Sequence, residues 1–110
     1  MRMMDSVLTL ISETITGYDE SGNALITRAE REVFCRIDDV SRNEFYSAAT
    51  AGLKPEITAI LFHAEYEDEQ KVMHDGKEYN VIRTYQGNGI GLDEIELVLE
   101  RDISNGAART

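Results

Sequence analysis

A single cysteine, Cys35, excludes an internal disulfide framework. No apolar run approaches the roughly 18 residues that suggest a membrane-spanning helix. The N-terminal residues lack the contiguous apolar core of a signal peptide, so synthesis and retention in the cytoplasm are expected. The two histidines, His63 and His74, fall on different predicted strands, and no cysteine or carboxylate repeats around them at zinc-like spacing. The run Gly87-Asn88-Gly89-Ile90-Gly91 has neither the x-x-G spacing nor the Gly-Lys-Ser/Thr ending of a phosphate-binding turn. Asp38-Asp39 and Asp68-Glu69 are paired carboxylates only in sequence, because adjacent strand residues point to opposite faces. Without a convergent nucleophile, acid-base pair or ligand set, no catalytic residue, metal or cofactor is expected. Basic side chains are also scarce: 11 Lys and Arg against 21 Asp and Glu leave a formal charge of −10. That balance repels phosphate backbones and argues against nucleic-acid binding.

What the chain does have is alternation. Its 110 residues fit one domain, with a core over about 6–103 and flexible ends at 1–5 and 104–110. Residues 7–15 mix Val, Leu, Ile and Thr as a half-buried strand does, then reach the turn-rich Tyr18-Asp19-Glu20-Ser21-Gly22-Asn23. The return segment 25–38 sets Val33, Cys35 and Ile37 on one face against Glu32, Phe34, Arg36 and Asp38 on the other. Ser41-Arg42-Asn43-Glu44 is a capping box that opens a short helix, and Gly52 followed by Lys54-Pro55 closes it near Ala51. Phe45, Ala48, Ala49 and Gly52 lie at i, i+3, i+4 and i+7 and read as the buried stripe of that helix. Residues 57–66 read as a strand with Ile60, Phe62, Ala64 and Tyr66 on one face. Asp75-Gly76, between 71–74 and 77–86, supplies the positive backbone angles of a two-residue hairpin turn. After the glycine-rich connection, 94–101 alternates Ile95, Leu97 and Leu99 with Glu94, Glu96, Val98 and Glu100. Strands in close succession with one inserted helix predict a mainly β fold, a small antiparallel β-barrel with one short inserted α-helix.

Three groups of residues suit contacts. Arg28, Arg31 and Arg36 interleave with Glu30, Glu32 and Asp38 along the second strand, a pattern fitted to cross-strand or intersubunit ion pairs. Tyr79, Arg83 and Tyr85 share one face of 77–86, offering either an exposed aromatic-guanidinium patch or a shield over the barrel. Glu65, Glu67, Asp68 and Glu69 mark a solvated acidic loop. One function that such acidity permits is a DNA mimic that occupies the basic cleft of a host nuclease or DNA-binding protein. Lys71, Lys77, Arg83 and Arg101 interrupt the negative charge and count against it.

Taken in order, Arg31-Glu32-Val33-Phe34, Val40-Ser41-Arg42-Asn43-Glu44-Phe45-Tyr46, Gly52-Leu53-Lys54-Pro55-Glu56, Asp75 through Tyr85 and Ile95-Glu96-Leu97-Val98-Leu99-Glu100 resemble the head-closure, or head-tail joining (adaptor, stopper), proteins of siphophages. The match covers roughly 5–103. The resemblance implies a non-enzymatic barrel assembled as a ring, expected to be twelvefold, beneath the portal and its adaptor ring in the virion neck. There it retains packaged DNA, which is only passing cargo, and docks the tail or tail-terminator protein, with no membrane involved. The free chain is expected to be monomeric if ring contacts form only on the assembled portal. Glu65, Glu67, Asp68 and Glu69 are then the candidate channel-facing loop, with the helix region Tyr46 to Lys54 as the other candidate. Arg28, Glu30, Arg31, Glu32, Arg36, Tyr79, Arg83 and Tyr85 are the candidate intersubunit or partner contacts.

Overall fold

Period-two alternation of apolar side chains sets the architecture. A computed structural model describes residues 4–86 and 93–103. It has six strands, β1 Ser6–Tyr18, β2 Ala24–Asp39, β3 Pro55–Phe62, β4 Lys71–His74, β5 Lys77–Gln86 and β6 Glu94–Arg101. One α-helix, α1 Arg42–Ala49, joins β2 to β3, and a single 3-10 turn, His63–Glu65, follows β3. Neighbouring strands are all antiparallel and close into a ring in the order β1, β2, β3, β6, β5, β4. Closure comes from β4 returning to β1, with Thr9 opposite Met73, Leu10 opposite Val72 and Ile11 opposite Lys71. The connection 87–91 and the end 104–110 lie outside the described residues.

Inside the ring Leu8, Leu10, Val33, Cys35, Ala59, Leu61, Val72, Tyr79, Ile95, Leu97 and Leu99 form one buried cluster, which Tyr66 enters from the segment after β3. Side chains alternate across a strand, so each strand commits every second residue to this interior. Fully burying one such leucine contributes about 1.5–3 kcal/mol. The parity expected for β6 and for the inner half of β2 is the one observed. For β3 the expected strand over 57–66 is cut short, so Ala64 and Tyr66 do not share a strand face with Ile60 and Phe62. Ile57, Ala59 and Leu61 face the interior, Ile60 is buried on the other side, Phe62 and Ala64 are exposed, and the strand ends at Phe62. Both faces of β3 are apolar, so alternation within it carries no direction; pairing with β6, which sets Ala59 opposite Leu97 and Leu61 opposite Ile95, decides.

The turns follow local chemistry. Asp75 and Gly76 take φ of 54° and 76°, as a two-residue hairpin turn requires. At the end of α1, Gly52 (φ 79°) lets the Leu53 N–H reach back to the Ala48 carbonyl at 3.0 Å and stops the helix. The expected apolar stripe of α1 is not buried: Ala48 is fully enclosed, but Phe45 and Ala49 are exposed.

β1 and β2 are longer than the ring needs. β2 meets β3 only over residues 36–39, and β1 meets β4 only over 9–11. Among the described residues, 12–18 pair only with 24–29, so the outer half of the hairpin stands clear as a two-stranded ribbon. Ile15 faces Ile26, Thr14 faces Thr27 and Glu13 faces Arg28 along it. The molecule extends 53 Å in its longest dimension and 22 Å in its shortest.

Two outcomes are expected from this packing. Leu97→Ala should lower unfolding free energy by about 2–5 kcal/mol, read as a shift of the urea midpoint with an unchanged slope. Cys35 is fully enclosed, and burial, with a smaller push from the Asp5 carboxylate, raises its thiol to about 11. Ellman's reagent near pH 8 should therefore leave the native protein unlabelled and react with one thiol after denaturation.

Candidate functional site

Polar side chains gather in three places: where α1 meets the ring, in the segment after β3, and along β2 and its ribbon. At the first, the Ser41 hydroxyl accepts the Glu44 N–H at 3.1 Å, as the capping box predicts. The reciprocal half of the box is absent, because the Glu44 side chain turns to the ring instead. One of its oxygens accepts from the Tyr85 hydroxyl at 2.5 Å and the other from Arg83 Nη1 at 2.9 Å. Arg83 also donates to the Ser47 hydroxyl at 3.1 Å. Glu44, Ser47 and Ala48 are thus residues through which α1 docks.

A register shift in β5 makes this possible. Ile82 is an extra residue between Val81, opposite Leu99, and Arg83, opposite Val98. Beyond that bulge Arg83 and Tyr85 face outward, whereas Tyr79 before it faces the interior. The patch of Tyr79, Arg83 and Tyr85 expected from unbroken alternation is therefore split. Tyr79 is a core residue whose hydroxyl donates to Glu56 at 3.2 Å, and burial, then the Glu56 carboxylate, raises its pKa.

Between α1 and the outer side of the ring lies a groove of about 340 Å³ lined by Ser41, Glu44, Ser47, Thr58, Tyr85 and Glu96, among others. The Glu96 carboxyl is held above its ordinary value, first by burial, then by the Asp38 and Glu44 carboxylates, with Arg36 partly offsetting them. Glu44, Tyr85, Arg83 and Ser47 bond one another across this groove, and the consequence visible in the structure is a helix clamped to the sheet.

The segment after β3 is less solvated than its acidity suggests. Glu67 and Asp68 are exposed and Glu65 is half-buried, but Glu69 is buried. Its carboxylate accepts from Arg31 Nη2 at 2.8 Å and from the Glu67 N–H at 2.8 Å, while its carbonyl accepts the Tyr66 hydroxyl at 2.7 Å. Asp68 takes a positive φ of 63°, which turns the chain back so that Glu69 points inward. Tyr66, enclosed beside these carboxylates, is raised to about 12, chiefly by burial. As a channel-facing loop only Glu67 and Asp68 remain fully presented to solvent.

Along β2 each arginine finds a carboxylate of its own chain. Arg28 contacts Glu30 at 3.1 Å and Glu78 at 3.2 Å, Arg31 contacts Glu69, and Arg36 contacts Glu94 at 3.5 Å. Glu30 and Glu32 remain exposed. Of these, Arg28–Glu30 is the most exposed and contributes little stability by itself. Sequence reasoning missed Glu56, Glu78 and Glu96, and saw Glu44 only as a cap. Residues that meet across strands carry no mutual spacing signal, so only the bulge and the strand order bring them together. Among the described residues no group of three or more His, Cys, Asp or Glu is arranged to hold a metal ion, and no helix is long and apolar enough to cross a membrane.

Fold and clusters together define a small mainly β protein with six antiparallel strands in a closed ring and its polar side chains tying helix, loop and ribbon to that ring. Compared with known proteins, the chain matches no family model and no curated sequence.

The raised Glu96 carboxyl has a definite sign. The folded state holds this proton more tightly than the unfolded chain, so its contribution to stability is greatest below the ordinary 4.5 and is lost as pH rises through the higher folded value. Glu96→Gln should melt with the native protein at acidic pH and above it at neutral pH, the gap widening as pH is raised.

Proposed function

We propose that this chain is a structural head-closure, or head-tail joining, protein of a tailed phage or prophage: a small β-barrel that works through its surfaces and performs no covalent chemistry. The observation that carries the reading is the projecting β1–β2 ribbon on a closed, fully packed ring. A rigid body with a protruding, charge-interleaved arm is suited to head-to-tail contacts between neighbours around a ring, where one surface of each copy must complement a different surface of the next. The resemblance of the segments quoted above to siphophage joining proteins supplies the biological setting: a ring, expected to be twelvefold, below the portal-adaptor ring, facing the tail or tail-terminator protein.

In this setting the negative charge has a use. A bore lined by carboxylates lets DNA pass without adhering, since every basic contact would hold a phosphate. Glu67 and Asp68 are the exposed carboxylates of the candidate loop, with Glu69 anchoring it through Arg31. Arg28, Glu30, Glu32 and the ribbon around them are proposed for contacts with neighbouring subunits. The site of action is the virion neck, reached after assembly in the host bacterial cytoplasm.

Deleting the gene from its phage tests the proposal. Full-length tails and DNA-filled heads that fail to join, or heads that leak DNA, are expected, with recovery when the gene is supplied in trans. A normal yield of infectious virions from the deletion would end it. Affinity capture from infected cells should recover portal or adaptor subunits; recovery of a host nuclease instead would favour a DNA-mimic inhibitor.

A further inference from the structure

β2 carries a long edge that no described strand covers. Residues 24–35 pair with β1 on one side, and among the described residues no strand pairs with them on the other, since β3 joins only from Arg36. The opposite edge of the ribbon is blunted. Thr16 forms a bulge in β1, and Glu67, Asp68, Glu69 and Gln70 lie beside Ser12 and Glu13. The β2 edge has neither bulge nor proline, and Ile26 (60%) and Phe34 (65%) are exposed along it. Such an edge is a template for another strand.

We propose that this edge pairs with the same edge of a second copy of the chain, antiparallel about a two-fold axis, with Ala29 facing its counterpart. In a two-fold strand pair the residue on the axis meets itself. Along residues 28–32 the order is Arg, Ala, Glu, Arg, Glu, so every centre except Ala29 sets two like charges against each other. Centres outside this stretch shorten the overlap. With Ala29 on the axis, Arg28 of each copy faces Glu30 of the other, Leu25 faces Val33 and Ala24 faces the exposed Phe34. The Arg28–Glu30 contact made within each chain becomes one side of an alternating arrangement of four charges. Two ribbons, each marginal alone, become one four-stranded sheet. The patch is self-complementary, so association stops at two.

The inference concerns the free chain and stands independently of the proposed place in the neck; it makes the free protein a pair, not the monomer expected before ring assembly. Sedimentation velocity on the full-length chain should give twice the chain mass. Ala29 is exposed, so Ala29→Lys and Ala29→Glu should each keep the native circular dichroism and weaken self-association by roughly tenfold or more. An equimolar mixture of the two should restore the pair, because opposite charges then meet on the axis. Arg28→Glu, which brings two carboxylates together across each flank, should likewise dissociate it, and adding Glu30→Arg should restore it. A native protein that stays monomeric at every concentration, an Ala29→Lys variant that pairs as tightly as the native chain, or a mixture that fails to re-pair would overturn the proposal. None of these results alters the outcome of the gene deletion, so the two readings fail separately.

Discussion

Three residue pairs hold the architecture closed. β4 is four residues long, and its return to β1 through Thr9, Leu10 and Ile11 converts an open sheet into a ring. An open sheet of the same strands leaves β4 and β1 as solvent-facing edges and exposes Leu8, Leu10 and Val72 on one side; closure buries all three without a second layer. A chain of this size has little surplus core, so enclosing every inward residue in one cluster is what makes it stable without a disulfide. Everything else in the structure is attached to that ring or projects from it.

α1 is attached by charge more than by apolar area. Its enclosed apolar contact is Ala48, and Glu44 holds the rest through Arg83 and Tyr85. Carboxylate bonds to a guanidinium and a phenol are directional, so they fix how the helix lies, whereas a broad apolar stripe tolerates sliding. Phe45, freed from that role, stands on the surface in an edge-to-face pair with Tyr46, their ring centres 6.0 Å apart. The same logic governs the segment after β3, where Arg31 and the Tyr66 hydroxyl pin Glu69 and its carbonyl beneath an acidic turn.

The ribbon is the counterpart of this economy. Its residues bury almost nothing within one chain, yet β1 and β2 extend well past the point where the ring has used them. A two-stranded ribbon carrying Ile15, Tyr18, Leu25 and Ile26 in water gains stability when another surface covers it. Placing the exposed apolar residues on a projecting arm keeps them apart from the packed body, so a contact made there does not disturb the core.

Much of this was legible in the amino-acid order. The strand signals, the Asp75-Gly76 turn, the Ser41 cap, the Gly52 stop and the buried Cys35 all depend on neighbours within a few residues, and local chemistry suffices for them. The inward parity of β6 was equally plain, since Glu94, Glu96 and Glu100 leave one face for the interior. The parity of β3 was not legible, because both of its faces are apolar and only pairing with β6 separates them. Nor was the split between Tyr79 and the outward Arg83 and Tyr85, which turns on one bulged residue whose presence is set by the register against β6. Glu44 and Glu69 looked like a cap and a solvated acid; both are partners of residues 38 to 41 positions distant, Arg31 for Glu69 and Arg83 and Tyr85 for Glu44. The sequence by itself determined which segments extend, turn or coil, because those preferences are local. Which faces meet, which carboxylates are held inside and which edge stays open were decided only when the strands closed on one another.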